Sequence, residues 1–350
     1  MRLLQAMAGG PQGGAEAFFE RLAISLTRRG LAQRLLIRRD AARAHRLRAA
    51  GLDVVELPFK RPFDFITRQR FTREIEAFRP DVVLTWMSRA SAACPRATGK
   101  RPFVHAARLG GYYDLKYYRN ARHLIGNTQG IVRYLVASGW PKAHAHCLPN
   151  FAEATRMAAF PRSALDTPED APLLLALGRL HRNKAFDVLI RALGELPLAW
   201  LWLAGEGPER SALERLAATE GVGERVRFLG WREDAPMLFA ASDVVVCPSR
   251  HEPLGNVVIE AWAQGKAVVA AASEGPSELI LDGVNGLLVP LEDAVALAQA
   301  IRRVLGEPAL AARLVAEGER AYRARFTEAA VVARYLEFFE SIAPCAASPG

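Results

Sequence analysis

Short apolar runs alternate with longer stretches in which apolar residues return every third or fourth position. Arg2–Ala8, Leu35–Arg38, Val54–Leu57, Val82–Thr85, Phe103–Ala106 and Leu124–Asn127 read as strands. Between them, Ala15–Arg29 sets Phe18, Leu22 and Leu26 on one helical face, and Ala41–Ala50, Thr67–Phe78 and Thr128–Ser138 share that period. The stretch Pro149–Pro172, rich in Ala, Pro, Asp and Thr, breaks the rhythm and reads as a linker. The alternation then restarts. Leu173–Leu177, Ala199–Ala204, Val226–Phe228, Val244–Cys247 and Ala267–Ala270 are predicted strands. Phe186–Glu195, Glu209–Glu220 and Ala235–Ala241 are predicted helices, Gly275–Gly286 a turn region, and helices follow from Asp293. The last predicted helix, about Glu328–Ile342, carries Val331, Tyr335, Phe338 and Phe339. Strand–helix alternation predicts parallel sheets covered on both faces. The expected fold is α/β, with two doubly wound, Rossmann-like domains facing across a cleft: residues 1–165 and 166–326, with 327–350 packing back on the first. Ligands in such folds sit at the carboxyl edges of the strands.

A length of 350 residues allows two domains of about 150 each. No apolar run approaches the roughly 20 residues of a membrane span; the longest, Leu198–Ala204 and Val268–Ala272, suit strands. Met1–Met7 leads straight into glycines and reads as a first strand, not a signal peptide. Cys94, Cys147, Cys247 and Cys345 are scattered without a CxxC, as expected of a cytoplasmic protein. His144, His146 and Cys147 lack a second ligand group at zinc spacing, and no D-x-D is present, so no metal site is expected. The net charge of +9 hides an asymmetry. Through Leu165 there are 28 Lys+Arg against 11 Asp+Glu, a balance of +17; the remainder has 18 against 26, or −8. The basic half suits anionic lipid or an anionic acceptor, or is simply a solvated Arg-rich face. Nucleic acid is disfavoured, because the basic residues lack interleaved aromatics and any reader motif.

The stretch from Val244 to Trp262 reads as buried strand, tight polar loop, then helix. Gly255 relaxes the backbone and Asn256 is a candidate N-cap for a helix from Val257. Free N–H groups at such a helix start suit a phosphate. The carboxylates of Glu252 and Glu260 bracket it and would accept hydrogen bonds from sugar hydroxyls. Arg179 and Lys184, in the loop after the first strand of the second domain, could both reach a pyrophosphate, Arg as a planar fork and Lys as a point charge; a pair of surface cations is the plainer reading. Gly205-Glu206-Gly207-Pro208 and Gly230-Trp231-Arg232 end the next two strands on the same predicted edge. Gly9-Gly10-Pro11-Gln12-Gly13-Gly14, after the first strand of all, lets another molecule approach the backbone. It has neither the G-x-G-x-x-G register nor the Lys of a P-loop, and the chain contains no G-x-S-x-G elbow.

In order and spacing these pieces resemble the retaining glycosyltransferases of family 4, with the GT-B fold, of the kind that builds bacterial envelope polysaccharide and lipopolysaccharide. The resemblance rests on Gly178-Arg179 with Lys184, Gly205-Glu206-Gly207-Pro208, Phe228-Leu229-Gly230, Pro248-Ser249, Glu252-Pro253-Leu254-Gly255, Glu260-Ala261 and, in the first half, Gly13-Gly14-Ala15-Glu16, Asn127-Thr128 and Pro149-Asn150. It implies a metal-independent hexosyltransferase without a cofactor. The first domain would bind the acceptor, an anionic glycan or glycolipid, and the second the donor, a nucleotide diphosphate sugar, with a UDP-sugar expected. Glu252 would hold hydroxyls of the donor sugar and Glu260 the ribose. Arg179, Lys184 and the amides of Leu254, Gly255, Asn256 and Val257 would bind the diphosphate, with Gly13 and Gly14 facing the phosphate from the first domain. The base would sit near Gly205, Gly207, Trp231 and Arg232. The family places a polar residue of the first domain beside the reacting carbon, and His105 and Arg108 are the candidates. The expected location is cytoplasmic, with peripheral contact with the inner membrane. A sugar-nucleotide epimerase, a nicotinamide-dependent dehydrogenase and a non-catalytic nucleotide-sugar-binding module are the alternatives.

Overall fold

The computed structural model describes residues 1–10, 13–60, 64–99 and 102–344. Pro11 and Gln12 of the glycine-rich turn, and Cys345, lie outside the described residues. The chain forms two compact units, Met1–Asn150 with Glu328–Gly350, and Phe151–Thr327.

The first unit holds β1 (Arg2–Met7), α1 (Gly14–Arg28), β2 (Ala32–Arg38), α2 (Ala41–Ala49), β3 (Asp53–Leu57), α3 (Phe65–Phe78), β4 (Val82–Trp86), α4 (Met87–Ala93), β5 (Val104–Leu109), β6 (His123–Gly126), α5 (Gln129–Ala137) and β7 (Ala145–Cys147). All neighbours pair parallel, in the order β3-β2-β1-β4-β5-β6-β7. Helices cover both faces, so the central strands are almost wholly buried and mostly apolar instead of alternating. Their buried polar residues are Gln5, Thr85, His105 and Arg108. Gln5 is satisfied internally: it accepts from Trp86 Nε1 at 2.9 Å and donates to Gln33 Oε1 at 2.7 Å.

The second unit continues with β8 (Leu173–Leu177), α6 (Phe186–Gly194), β9 (Trp200–Ala204), α7 (Arg210–Thr219), β10 (Val226–Gly230), α8 (Ala235–Ala241), β11 (Val244–Cys247), α9 (Asn256–Ala263), β12 (Ala267–Ala271), α10 (Glu274–Leu279), β13 (Leu287–Val289), α11 (Ala294–Gly306) and α12 (Pro308–Arg325). Its six parallel strands run β10-β9-β8-β11-β12-β13. Strand alternation sends Leu174 and Ala176 into the core with α6 and α11, and Leu173 and Leu175 into the core with α8 and α9. Helix α9 is pinned by Trp262. Its indole N–H donates to Asn285 O at 2.9 Å, and its ring fills the space beside Gly318 of α12, where an added Cβ would lie 2.4 Å from Trp262 Cδ1.

The final helix, α13 (Glu328–Ile342), belongs to the first unit and buries Val331, Tyr335, Phe338 and Phe339 there, with Tyr335 against Phe18 of α1.

Four features depart from the sequence pattern. The units divide at Asn150/Phe151, not at residue 165. Residues after 151 pack on the second unit, with Ala152 N donating to Phe326 O at 3.2 Å and Arg162 Nη2 to Ala241 O at 2.7 Å. The loss of periodicity marks where regular structure ends, not where contacts change partner. Strands β7 and β13 have three residues each, too few to show a period. Helices α4 and α10 have seven and six residues, too short to show a helical period, and α10 carries Gly275 and Pro276, so it reads as part of the expected turn region. Finally, Gly255, not Asn256, caps α9. It takes the left-handed region at φ 83°, which costs glycine little, and Asn256 is the first helical residue.

Candidate active site

In an open parallel sheet, the strands on either side of the point where the order reverses send their following loops in opposite directions and leave a crevice. In the second unit that point lies between β8 and β11. The loop after β8 carries Arg179 and Lys184, and the loop after β11 carries Glu252 and leads into α9. The fold thus brings the sequence candidates of this unit to one place.

Lys184 Nζ and Glu252 Oε2 form a close, largely buried ion pair. Burial alone would pull the Lys184 ammonium down, but Glu252, with Cys247 and Glu260 adding, outweighs it and holds it above its ordinary value. The Cys247 thiol, buried and facing Glu252, is pushed up to about 11 and stays protonated. Ser249 Oγ donates to Glu252 Oε2 at 3.4 Å, and Gly255 N to Glu252 Oε1 at 3.4 Å. Arg179 is exposed, with no hydrogen-bond or ion-pair partner among the described residues. The loops here therefore offer, among the described residues, exposed Arg179 without a partner, one cation held by a carboxylate, and a helix start. Glu260 is half-buried in α9 and contributes to the field at Lys184.

Two residues without a sequence signal hold this loop in shape. Arg250 donates to Asp187 at 2.8 and 2.7 Å, to Glu292 Oε2 at 2.8 Å and to Arg182 O at 2.8 Å. Its backbone N–H reaches Asn183 O at 2.8 Å, so the loops after β11 and β8 are stitched together. Glu274 accepts from Glu252 N at 3.1 Å and meets His251 Nδ1 at 2.5 Å. Burial opposes ionisation of Glu274, but the backbone N–H groups and His251 outweigh it and hold the carboxyl below its ordinary range.

The glycines after β9 have a packing reason of their own. A Cβ on Gly205 would lie 1.9 Å from Gly178 O, and one on Gly207 2.2 Å from Leu180 O. They let the loops after β8 and β9 lie backbone against backbone, with Gly178 N donating to Ala204 O and Leu180 N to Glu206 O, each at 2.9 Å. Beside them Trp231 is 53% exposed, a free aromatic face. Arg232 is engaged: it forks onto Asp234 at 2.7 and 2.5 Å and stacks on Phe160. Leu254 and Val257 are buried and contribute backbone only.

In the first unit the order reverses between β1 and β4. The glycine-rich turn after β1 wraps the carboxylate of Glu16. Gly10 N donates to Glu16 Oε1 at 2.8 Å, and a Cβ on Gly9 or Gly13 would lie within 2.4 Å of its oxygens. Buried Arg43 ties the same turn by donating to Gly10 O at 2.9 Å and to Glu20 at 2.8 Å. Gly14 opens α1.

His105 and Arg108 fall on opposite faces of β5, as a spacing of three in a strand requires. His105 is a core imidazole. It is 3% exposed, hydrogen-bonded through Nε2 to Thr85 Oγ1 at 2.9 Å, and pushed down to about 4 by burial. Arg108 is 2% exposed, between the rings of Phe18 and Trp86 at 4.8 and 4.7 Å. Its Nε donates to Tyr335 Oη at 2.9 Å and its Nη2 to Asn150 Oδ1, so helix α13 and the end of the first unit both hold it. Burial and the charge of Glu16 raise the Tyr113 phenol, with Arg108 opposing. Among the described residues no group of three or more His, Cys, Asp or Glu is arranged to hold a metal ion. His144 and His146 instead gather round His123, the latter at 2.9 Å between ring nitrogens.

Residues 171–307 match the family described as glycosyl transferases group 1, and residues 13–150 match the glycosyl transferase 4-like domain. The chain belongs to the group 1 glycosyltransferases, and its fold is GT-B. It is 39% identical over 344 residues to the lipopolysaccharide core biosynthesis glycosyltransferase LpsE of Rhizobium meliloti (strain 1021), covering 95% of this chain and 97% of that one. It is 39% identical over 334 residues to LpsD of the same strain, also named a lipopolysaccharide core biosynthesis glycosyltransferase, covering 95% and 96%. Among solved structures, Anabaena Alr3699/HepE in complex with UDP and glucose superposes with a TM-score of 0.84 at 22% identity, over 97% of this chain and 100% of that one. The chain is thus an enzyme of sugar transfer, and the epimerase, dehydrogenase and binding-module alternatives give way to it. Among the described residues no helix is long and apolar enough to cross a membrane.

Proposed function

We propose that this chain is a retaining, metal-independent glycosyltransferase that moves a sugar from a UDP-sugar to a hydroxyl of an acceptor in lipopolysaccharide core assembly, on the cytoplasmic side of the inner membrane. The observation that carries this reading is the Lys184–Glu252 pair at the reversal point of the second sheet, with exposed, unpartnered Arg179 beside it and α9 starting at the same edge. A diphosphate entering there meets Arg179 and the first amides of α9, and competes with Glu252 for Lys184. Glu252, released in part from the lysine, turns its carboxylate to the sugar hydroxyls, and Glu260 takes the ribose. Trp231 offers its exposed face to the base. As the sugar–phosphate bond breaks, negative charge grows on the leaving oxygen, where these cations and amides stabilise it more than in the ground state. The acceptor oxygen bonds to the same face of the sugar carbon, and its proton passes to the departing phosphate. Arg108, buried against aromatic rings, acts through position and field, not by contact. The two Rhizobium relatives support the acceptor class, and the Anabaena neighbour the donor class.

The test is incubation with a panel of labelled nucleotide sugars and a lipopolysaccharide core acceptor extract. Free UDP, a product whose new linkage keeps the donor's anomeric configuration by NMR, and turnover that survives a chelator are the expected results. An inverted linkage, turnover abolished by chelator, or tight donor binding without UDP release would each sink a distinct part of the reading.

A further inference from the structure

The loops after β11 and β12 lie backbone against backbone. Gly275 N donates to Glu252 O at 2.7 Å, and a Cβ on Gly275 would lie 2.3 Å from the Leu254 carbonyl. This contact holds Glu274 beside Glu252. One carboxylate oxygen of Glu274, Oε2, accepts from Glu252 N at 3.1 Å, and the other, Oε1, meets His251 Nδ1 at 2.5 Å. His251 is anchored in turn, its backbone N–H donating to Asn183 O in the loop after β8 at 3.2 Å. The Glu274 carboxylate therefore has a set place on the carboxyl edge of the second sheet, next to Glu252, and its side chain is still 39% exposed.

Its charge is treated differently from those of its neighbours. Glu252 faces Lys184, Asp187 and Glu292 share Arg250, and Asp234 holds Arg232. Glu274 has no Lys or Arg ion-pair partner among the described residues and is met by His251 instead. Burial opposes its charge, but the backbone N–H groups and His251 outweigh it and keep the carboxyl below its ordinary range, so it is ionised at neutral pH. An ionised carboxylate only accepts hydrogen bonds, and its two oxygens have lone pairs beyond the two that Glu252 N and His251 use. A sugar hydroxyl can donate to it. A sugar carboxylate brings a second negative charge and no proton to share.

We propose that Glu274 is a specificity-determining residue of the donor-sugar subsite: it admits neutral hexosyl donors through their hydroxyls and rejects hexuronosyl donors by repelling the sugar carboxylate. Arg179 and Lys184 are both drawn to the diphosphate, so neither is left to offset a carboxylate on the sugar. Selectivity then comes from a repulsive element built into the loop after β12, not from an added attraction. The proposal rests on the reading that Glu252 holds the donor sugar.

The experiment is calorimetric titration of the full chain with two pairs of donors, UDP-glucose against UDP-glucuronate and UDP-galactose against UDP-galacturonate. In at least one pair, wild type should bind the neutral member about a hundredfold or more tightly, since like charges set side by side are strongly disfavoured. Glu274→Gln keeps the shape of the side chain and removes its charge. It should raise affinity for the uronate by about tenfold or more, a gain that mere disturbance of the loop does not produce. Glu274→Lys should turn the preference toward the uronate, with melting temperatures showing that each variant is folded. Equal or tighter binding of the uronate by wild type in both pairs overturns the proposal, as does an unchanged uronate affinity in Glu274→Gln. Affinity is read without turnover or acceptor, and Glu252→Ala is titrated alongside. Undiminished binding of the neutral donors by Glu252→Ala sinks the reading that places the sugar there, and the proposal with it. An unchanged preference in Glu274→Gln sinks the proposal alone.

Discussion

The two sheets reverse their strand order in the same way, yet they treat their charges oppositely. The second unit, where acidic residues outnumber basic ones, leaves Arg179 open at its reversal point and holds Lys184 with a carboxylate that a ligand can displace. The first unit, rich in arginine, buries its candidate Arg108 between Phe18 and Trp86 and ties it to Tyr335 and Asn150. Exposed Arg70 and Arg73 on α3, beside exposed Phe65 and Ile66, have no carboxylate partner among the described residues. Net charge therefore does not locate chemistry. What decides is whether the fold satisfies a charge internally or leaves it for something else to satisfy.

That contrast can be broken most directly at Glu252. Glu252→Ala should lower UDP release by about 10²–10³-fold, because it removes the carboxylate proposed to hold the sugar and leaves Lys184 without its partner. Retention of more than a tenth of the rate would place the sugar elsewhere. The two arginines should then separate function from stability. Arg179→Ala should cut turnover by about tenfold or more while changing stability by less than about 0.5 kcal/mol, as for an exposed side chain. Arg108→Ala should destabilise the first unit by about 3 kcal/mol or more, since it opens a cavity and strands Tyr335 and Asn150. Thermal unfolding beside a UDP-release assay checks both, and equal melting temperatures for the two variants would erase the distinction.

Acid should act on the first unit through His105. Its folded value of about 4 lies below the ordinary 6.5, so between these the unfolded chain binds a proton that the fold refuses. Stability is whole above pH 6.5 and falls as pH drops toward 4, by up to about 3 kcal/mol for this one group. His105→Gln should flatten that slope in melting curves taken between pH 7 and 4.5; an unchanged slope would assign acid sensitivity to other groups. The smallest effect is expected at Arg232. It is already paired with Asp234 and stacked on Phe160, so Arg232→Ala should change the KM for donor by less than about threefold, whereas Trp231→Ala should raise it more. A larger effect at Arg232 would mean that the donor displaces Asp234.

Much of the architecture was legible because parallel strands buried on both faces leave continuous apolar runs, and their crossover helices leave a helical period. β8, β11, α8 and α13 stand where the pattern put them. That Arg179, Lys184 and Glu252 follow strands at one sheet edge was legible too, since the reversal point gathers short motifs that each follow a strand. Arg250 and Glu274 were not, because they act by tying loops far apart in sequence, and no local spacing records that. Gly205 and Gly207, expected beside the base, have in addition a packing reason that no local spacing records: they let the loop after β8 lie against them.

The sequence by itself determined that the chain is two parallel α/β units, that both carry glycine-rich turns at strand ends, and that carboxylates and cations follow β8 and β11. Periodicity and strand-end position are local properties, so one dimension is enough to carry them. Only the tertiary structure decided which charges are spent. It paired Lys184 with Glu252 and Arg232 with Asp234, closed Arg108 inside a box of aromatic and polar groups, sank His105 into the core, and left Arg179, Trp231, Phe65 and Ile66 exposed. Exposure and pairing depend on what arrives from elsewhere in the chain, and residues such as Tyr335 and Asn150 lie far from Arg108 in sequence though they touch it in the fold.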